Sequence, residues 1–171
     1  MNALVVYESR FGNTERIAQA IGAALDTGAP PTVASYEAVA EVPAGLDLVV
    51  VGAPTHAHGV PAEFKTFLDK LPDDALDGVA VATFDTRYRK PALLTGSAAR
   101  GIAKRLGRKG ARLVAPPESF FIEHSEGPLE QGEVERAAAW AHGLAETVAH
   151  AAERGRVRLI AATPPSPPSQ G

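Results

Sequence analysis

Ser9, Asn13 and Thr14, gathered around Gly12, are the side chains of this protein best suited to hold an anion. They lie in Tyr7-Glu8-Ser9-Arg10-Phe11-Gly12-Asn13-Thr14-Glu15, between an apolar run and a helical pattern. Short polar side chains can donate to phosphate oxygens, and Gly12 permits a left-handed turn. The helix that the loop opens offers free N–H groups and a positive dipole end. The same side chains would also serve as helix caps, and the loop alone leaves both uses open. It carries neither the G-x-G-x-x-G of dinucleotide sites nor the G-K-[ST] of nucleoside triphosphate loops.

Two further stretches carry rings and hydroxyls. Residues 52–61 hold Pro54, Thr55, His56, His58 and Gly59, and residues 85–91 hold Thr86, Arg87 and Tyr88. Both are longer than a bare connection needs, and with the first loop they would enclose one flat, phosphorylated ligand. His56 and His58 share a face of an extended segment, but a metal site needs a third ligand and no H-E-x-x-H helix supplies one. The chain has no cysteine, which excludes disulfides, thiolate nucleophiles and Cys-ligated metals. Asp85 could accept a phosphoryl group only with an acidic pair after the first strand, and Glu8 is the one carboxylate there before Glu15. No residue is assigned a catalytic role.

These loops need elements to position them. Ala3–Tyr7 and Leu48–Val51 are apolar runs typical of strands buried on both faces; Thr32–Tyr36 and Val79–Phe84 predict two more. A fifth strand comes in two pieces, around Leu113-Val114 and Ser119–Ile122, broken by Pro116-Pro117. Stripes at helical spacing follow: Ile17, Ile21 and Leu25; Phe64, Phe67, Leu68 and Leu71; Ala98 to Leu106; and Val134 to Val148. Trp140 falls on the last stripe and reads as core packing, and Gly155 as that helix's stop. Strands alternating with helices predict an α/β fold, a doubly wound five-stranded parallel sheet with helices on both faces. Ligands of such sheets sit beyond the carboxyl ends of the strands. One domain is expected over residues 1–155 and an extension over 156–171, with a Pro/Ser-rich disordered tail from Thr163.

Composition narrows the class. The 171 residues are 45% apolar and 22% charged, with 17 Lys+Arg against 20 Asp+Glu. A net charge of −3 is not that of a generally nucleic-acid-binding chain. No run suggests a membrane span and the first residues lack a signal-peptide pattern, so a cytoplasmic protein is expected. The charge is uneven: residues 87–117 hold nine basic and no acidic residues. Within them Arg100, Lys104, Arg105, Arg108 and Lys109 read as a solvated helix face, with no aromatic between 97 and 112 to stack on bases.

Ser-Arg-Phe-Gly-Asn-Thr at 9–14 is similar to the FMN phosphate loop of the flavodoxin-like family. Gly52-Ala53-Pro54-Thr55-His56 resembles that family's first flavin-flanking loop, and Phe84-Asp85-Thr86-Arg87 its second. Gly127-Pro128-Leu129 through Trp140 resembles the last helix of a subgroup of flavodoxin-domain proteins. The resemblance implies strand order 2-1-3-4-5, the short-chain form, and FMN as cofactor. It assigns FMN contacts to Ser9, Arg10, Phe11, Gly12, Asn13, Thr14, Pro54, Thr55, His56, His58, Gly59, Thr86, Arg87 and Tyr88. It implies electron transfer through the flavin, with a redox partner protein or a small-molecule electron acceptor. A flavodoxin-type NAD(P)H:quinone reductase, or a binding module that has lost FMN, are the alternatives. Two departures stand out: His56 and His58 replace the aromatic residue usual in the first flanking loop, and the second is basic, with Arg87, Arg89 and Lys90. The basic loop leads to the expectation of a milder reductant and an anionic partner.

Overall fold

The longest unbroken apolar runs become the central strands, because only the middle of a parallel sheet buries both faces. In the computed structural model, which describes residues 1–26, 28–56 and 59–162, these are β1 (Ala3–Tyr7) and β3 (Leu48–Pro54). Around them lie β2 (Thr32–Ser35), β4 (Ala80–Tyr88), β5 (Arg112–Leu113) and β6 (Glu118–Ile122). The helices are α1 (Asn13–Leu25), α2 (Ala62–Lys70), α3 (Ala92–Thr95), α4 (Ala98–Gly107) and α5 (Glu133–Ala162). The sheet is parallel in the order β2-β1-β3-β4-β5, with β6 also on β4, so the expected doubly wound order is observed. The split of the last strand around Pro116-Pro117 is observed too.

Two expectations need correction. The fourth strand does not stop at Phe84: it runs on to Tyr88 because β6 pairs with Phe84 through Tyr88 and satisfies that backbone. Asp85, Thr86 and Arg87 are therefore strand residues rather than loop residues. The last helix does not end at Gly155 but continues to Ala162; a single glycine costs a helix only about 1 kcal/mol. The expected tail, residues 163–171, lies outside the described residues.

Each face of the sheet has its own core. α1 and α5 cover Val5, Val50, Ala82, Phe84 and Phe120, while α2 and α4 cover Leu4, Val6, Val49, Val51 and Val81. The period of two carries into the polar end of β4. Thr83 and Asp85 bond to the start of α4, while Phe84 and Thr86 face α1 and α5. Trp140 packs edge-on against Phe84 and Phe120, with ring centroids 6.4 and 6.0 Å away, as the helical spacing expects.

Gly52 is fixed by this packing. It is the register partner of Phe84, whose ring occupies the space that a Cβ on Gly52 would take. Gly52→Ala should therefore lower the stability to urea by about 1–3 kcal/mol. Adding Phe84→Leu should give less than the sum of the two single losses, and strict additivity would show that the ring does not govern this position.

Candidate functional site

Three strands end at one edge of the sheet, and the chain beyond each was singled out by residue type. After β1 the chain turns at Gly12, whose φ of 81° lies in the left-handed region, and enters α1 directly. No side chain caps this helix from the Gly12 position; Ser9 Oγ instead accepts the N–H of Glu15 at 3.2 Å. The first backbone bond of the helix runs from Arg16 N–H to Gly12 O at 3.0 Å. The N–H groups of Asn13 and Thr14 precede it, with no intrahelical acceptor and at the positive end of the helix. A Cβ at Gly12 would meet nothing within 4 Å, so the space beside this turn is open.

The side chains of the loop are anchored outward. Asn13 Nδ2 donates to Glu126 O at 2.9 Å, tying the loop to the segment after β6. Thr14 Oγ1 lies 2.8 Å from Thr86 Oγ1, and both hydroxyls are buried. This pair locks the first turn of α1 onto β4.

The end of β3 is fixed by Asp85, which is fully buried. Its Oδ2 accepts Thr55 Oγ1–H at 3.0 Å, Ser97 Oγ–H at 2.6 Å and the Ala99 N–H at 3.0 Å. Thr55 Oγ1 in turn accepts the N–H of Ala98 at 2.9 Å, and Thr55 N–H donates to Thr86 O at 2.9 Å. The carboxylate thus sits at the N-terminus of α4, where the helix dipole favours a negative charge. Arg87 Nε stands 3.7 Å from Asp85 Oδ1.

Between these ends lies a cavity of ≈ 770 Å³. Its wall includes Arg10, Phe11, Pro54, Thr55, His56, Thr86, Arg87 and Tyr88, all of them expected from sequence. Phe11 and Tyr88 are 50% and 38% exposed, so rings stand at the opening. His56 is exposed and exchanges two backbone bonds of 2.9 Å with Gly59. Ser9, Gly12, Asn13 and Thr14 shape the turn beside the cavity rather than its described wall, to which Gly59 does not belong either. His58 lies outside the described residues.

The wall also holds residues that the sequence reading did not select: Glu8, Tyr36, Pro61, Ala62, Glu63, Ile122 and Ser125. Each follows a strand or opens a helix at this edge, and the strand order would have found Tyr36 and Ile122. Glu8 is half-buried, and its Oε2 is buried without a hydrogen-bond partner among the described residues. Burial pushes its pKa up, and the charges of Glu63 and Glu37 push the same way, against Arg10.

The basic loop is partly paired. Arg87 donates to Ser119 Oγ at 3.0 Å, Lys90 O at 2.6 Å and Thr95 Oγ1 at 3.1 Å, so its guanidinium is engaged within the protein. Arg89 pairs with Glu130 at 2.7 Å and lies near Glu133 at 3.6 Å. The cavity wall itself carries Arg10 together with two carboxylates, Glu8 and Glu63.

The donor set fits FMN. Two amides at a helix start, without an acceptor among the described residues, suit a phosphate dianion, and a cavity with rings at its opening suits a flat tricycle. In known structures the same architecture recurs. A flavodoxin from the domain Archaea is 23% identical, with TM-score 0.73 over 88% of this chain and 100% of that one. Oxidised Flavodoxin 1 from Bacillus cereus is 21% identical, with TM-score 0.70 over 85% of this chain and 98% of that one. The rubredoxin oxygen:oxidoreductase of Desulfovibrio gigas is 17% identical, with TM-score 0.69 over 87% of this chain and 36% of that one. At these identities the likeness is one of fold. No curated protein matches the sequence. The model of the flavodoxin domain, however, matches residues 4–93, which run from β1 into α3. On that match the chain belongs to the flavodoxin-domain family, whose cofactor is FMN.

Proposed function

We propose that the chain is an electron carrier that takes up electrons at FMN from one redox partner and delivers them to a second protein or a small acceptor. The observation that carries this reading is the opening of the cavity, where the rings of Phe11 and Tyr88 stand 50% and 38% exposed. When bound, FMN supplies reversible electron uptake through its isoalloxazine ring. The chain's own residues do the rest. Asn13 and Thr14 N–H hold the phosphate, and the Thr14–Thr86 pair keeps them aimed. Phe11 and Tyr88 cover the ring from water.

Charge on the wall sets the direction of the potential. A carboxylate facing the cavity opposes added negative charge, and a cation favours it. Arg87 and Arg89 each stand near a carboxylate, so the milder reductant expected from the basic loop rests on Arg10 on the wall and Lys90 beside Tyr88, for which no ion pair occurs among the described residues, against Glu8 and Glu63.

The test is an absorbance spectrum of the purified chain, with FMN reconstitution if it is colourless, followed by steady-state assay with NADPH and a quinone. An electron carrier holds one FMN per chain and turns NADPH over no faster than free FMN does. Rapid turnover with a quinone would instead favour the NAD(P)H:quinone reductase reading, and failure to bind FMN the binding-module reading.

Glu8 gives a second, independent check. Its carboxyl group has a pKa raised above the ordinary 4.5, so the folded chain binds that proton more tightly than the unfolded chain does. The associated stability is present below the unfolded value and is lost as pH rises through the folded one. Glu8→Gln should therefore raise Tm near neutral pH, and the gain should vanish below about pH 4.5. A gain independent of pH would show that the proton affinity of Glu8 is ordinary.

A further inference from the structure

Leu93 and Leu94 are the most exposed large apolar side chains among the described residues, at 95% and 65%. They are not on a loose loop. The Arg87 guanidinium donates to the carbonyls of Tyr88 and Lys90, at 3.3 and 2.6 Å, and to Thr95 Oγ1, at 3.1 Å. A mostly buried cation thus clips the segment from both ends and holds the two leucines out in water. The clip begins at Tyr88, which lines the cavity opening.

The segment leads into α4, whose outer face carries Arg100 and Lys104, with Arg108 capping its C-terminus, all three exposed. These are spaced i, i+4 and i+8, which places them in one row along the helix. Among the described residues no carboxylate pairs with any of them, whereas the neighbouring Arg105 and Lys109 are held by Asp69 and Asp73 at 3.3 and 2.8 Å. Like charges at this spacing oppose one another, so the row is unfavourable until an opposite charge meets it. Lys90 continues the positive field to the opening, with its Nζ 5.9 Å from the centre of the Tyr88 ring.

We propose that Leu93 and Leu94, with Lys90 and the α4 row beside them, form the docking surface for a small redox protein with an acidic face. The proposal rests on the electron-carrier reading and names the partner's chemistry. An apolar centre with a charged flank is the anatomy of a protein interface. Charges of one sign raise the rate of encounter with a partner of the other sign, and the apolar pair then holds it. Nucleic acid would satisfy the row, but it would leave the leucines without a partner and find no aromatic between 97 and 112 to stack on.

The experiment measures binding of the full-length, FMN-loaded chain to an immobilised, acidic [2Fe–2S] ferredoxin at about 20 and 200 mM salt, conditions that change screening. It is repeated with the FMN removed, with a duplex DNA as competitor, and with two variants. Wild type should bind at least tenfold more weakly at the higher salt. Arg100→Glu/Lys104→Glu/Arg108→Glu should weaken binding at least tenfold at low salt. Leu93→Ser/Leu94→Ser should weaken it several-fold at both salts while leaving FMN content unchanged. No ferredoxin binding, variants that bind as wild type does, or displacement of ferredoxin by DNA would each overturn the proposal. Mixing the reduced ferredoxin with the oxidised, FMN-loaded chain separates the two readings. One electron leaves the iron–sulfur centre for each electron gained by the flavin, and the flavin absorbance falls. Binding of the expected kind without that fall keeps the docking surface and overturns the electron-carrier reading.

Discussion

Much of the site depends on where one buried negative charge is placed. Asp85 is removed from water at the carboxyl end of β4, and an uncompensated carboxylate there would cost several kcal/mol. Its compensation comes from separate parts of the chain: Thr55 at the end of β3, and Ser97 and Ala99 at the start of α4. Satisfying that oxygen therefore fixes one wall of the cavity relative to a helix. Arg87, two residues along the strand, stands beside the other oxygen and uses its remaining donors to fold the segment up to Thr95. Neutral groups could not replace this arrangement one at a time, because each partner removed leaves the charge less well solvated.

The alternation of β4 distributes the remaining tasks. Beyond Val81, the residues facing α4 are polar and bind its first turn; those facing α1 and α5 begin as core, with Phe84 beneath Gly52, and end in Thr86 against Thr14. Both sides of the strand thus hold a helix N-terminus close to the same edge. One of these, at α4, is neutralised by the chain's own carboxylate. The other, at α1, keeps the amides of Asn13 and Thr14 without an acceptor among the described residues, and it is the one left for a ligand's phosphate. That asymmetry explains why, of the two helix starts held by β4, one offers an anion cradle.

Much of the fold was legible because β1 and β3 are apolar runs and α1 and α4 are clean stripes. Even the break in the last strand was announced by Pro116-Pro117. The final residues of β4 were not legible: Asp-Thr-Arg reads as a loop unless one knows that Asp85 Oδ2 and Arg87 are bonded within the protein and that β6 pairs beside them. In the site, the turn at Gly12 and the rings Phe11 and Tyr88 followed from residue type and spacing. Glu8, Tyr36 and Glu63 did not, since they are brought to the cavity by strand order rather than by local pattern. The pairing within the basic loop was not legible either: Asp85 on the same strand stands beside Arg87, and Glu130 and Glu133 come to Arg89 from elsewhere in the chain, while Lys90 has no carboxylate partner among the described residues.

The central claim is that α1 begins in a phosphate cradle beside a cavity for the flavin ring. The most direct measurement is calorimetric titration of the FMN-free chain with FMN and with riboflavin, which differ only in the phosphate. Two charge-assisted bonds from Asn13 and Thr14 should make FMN bind roughly 100-fold tighter or more, a difference of about 2.7 kcal/mol. Equal affinity for the two flavins would contradict the account.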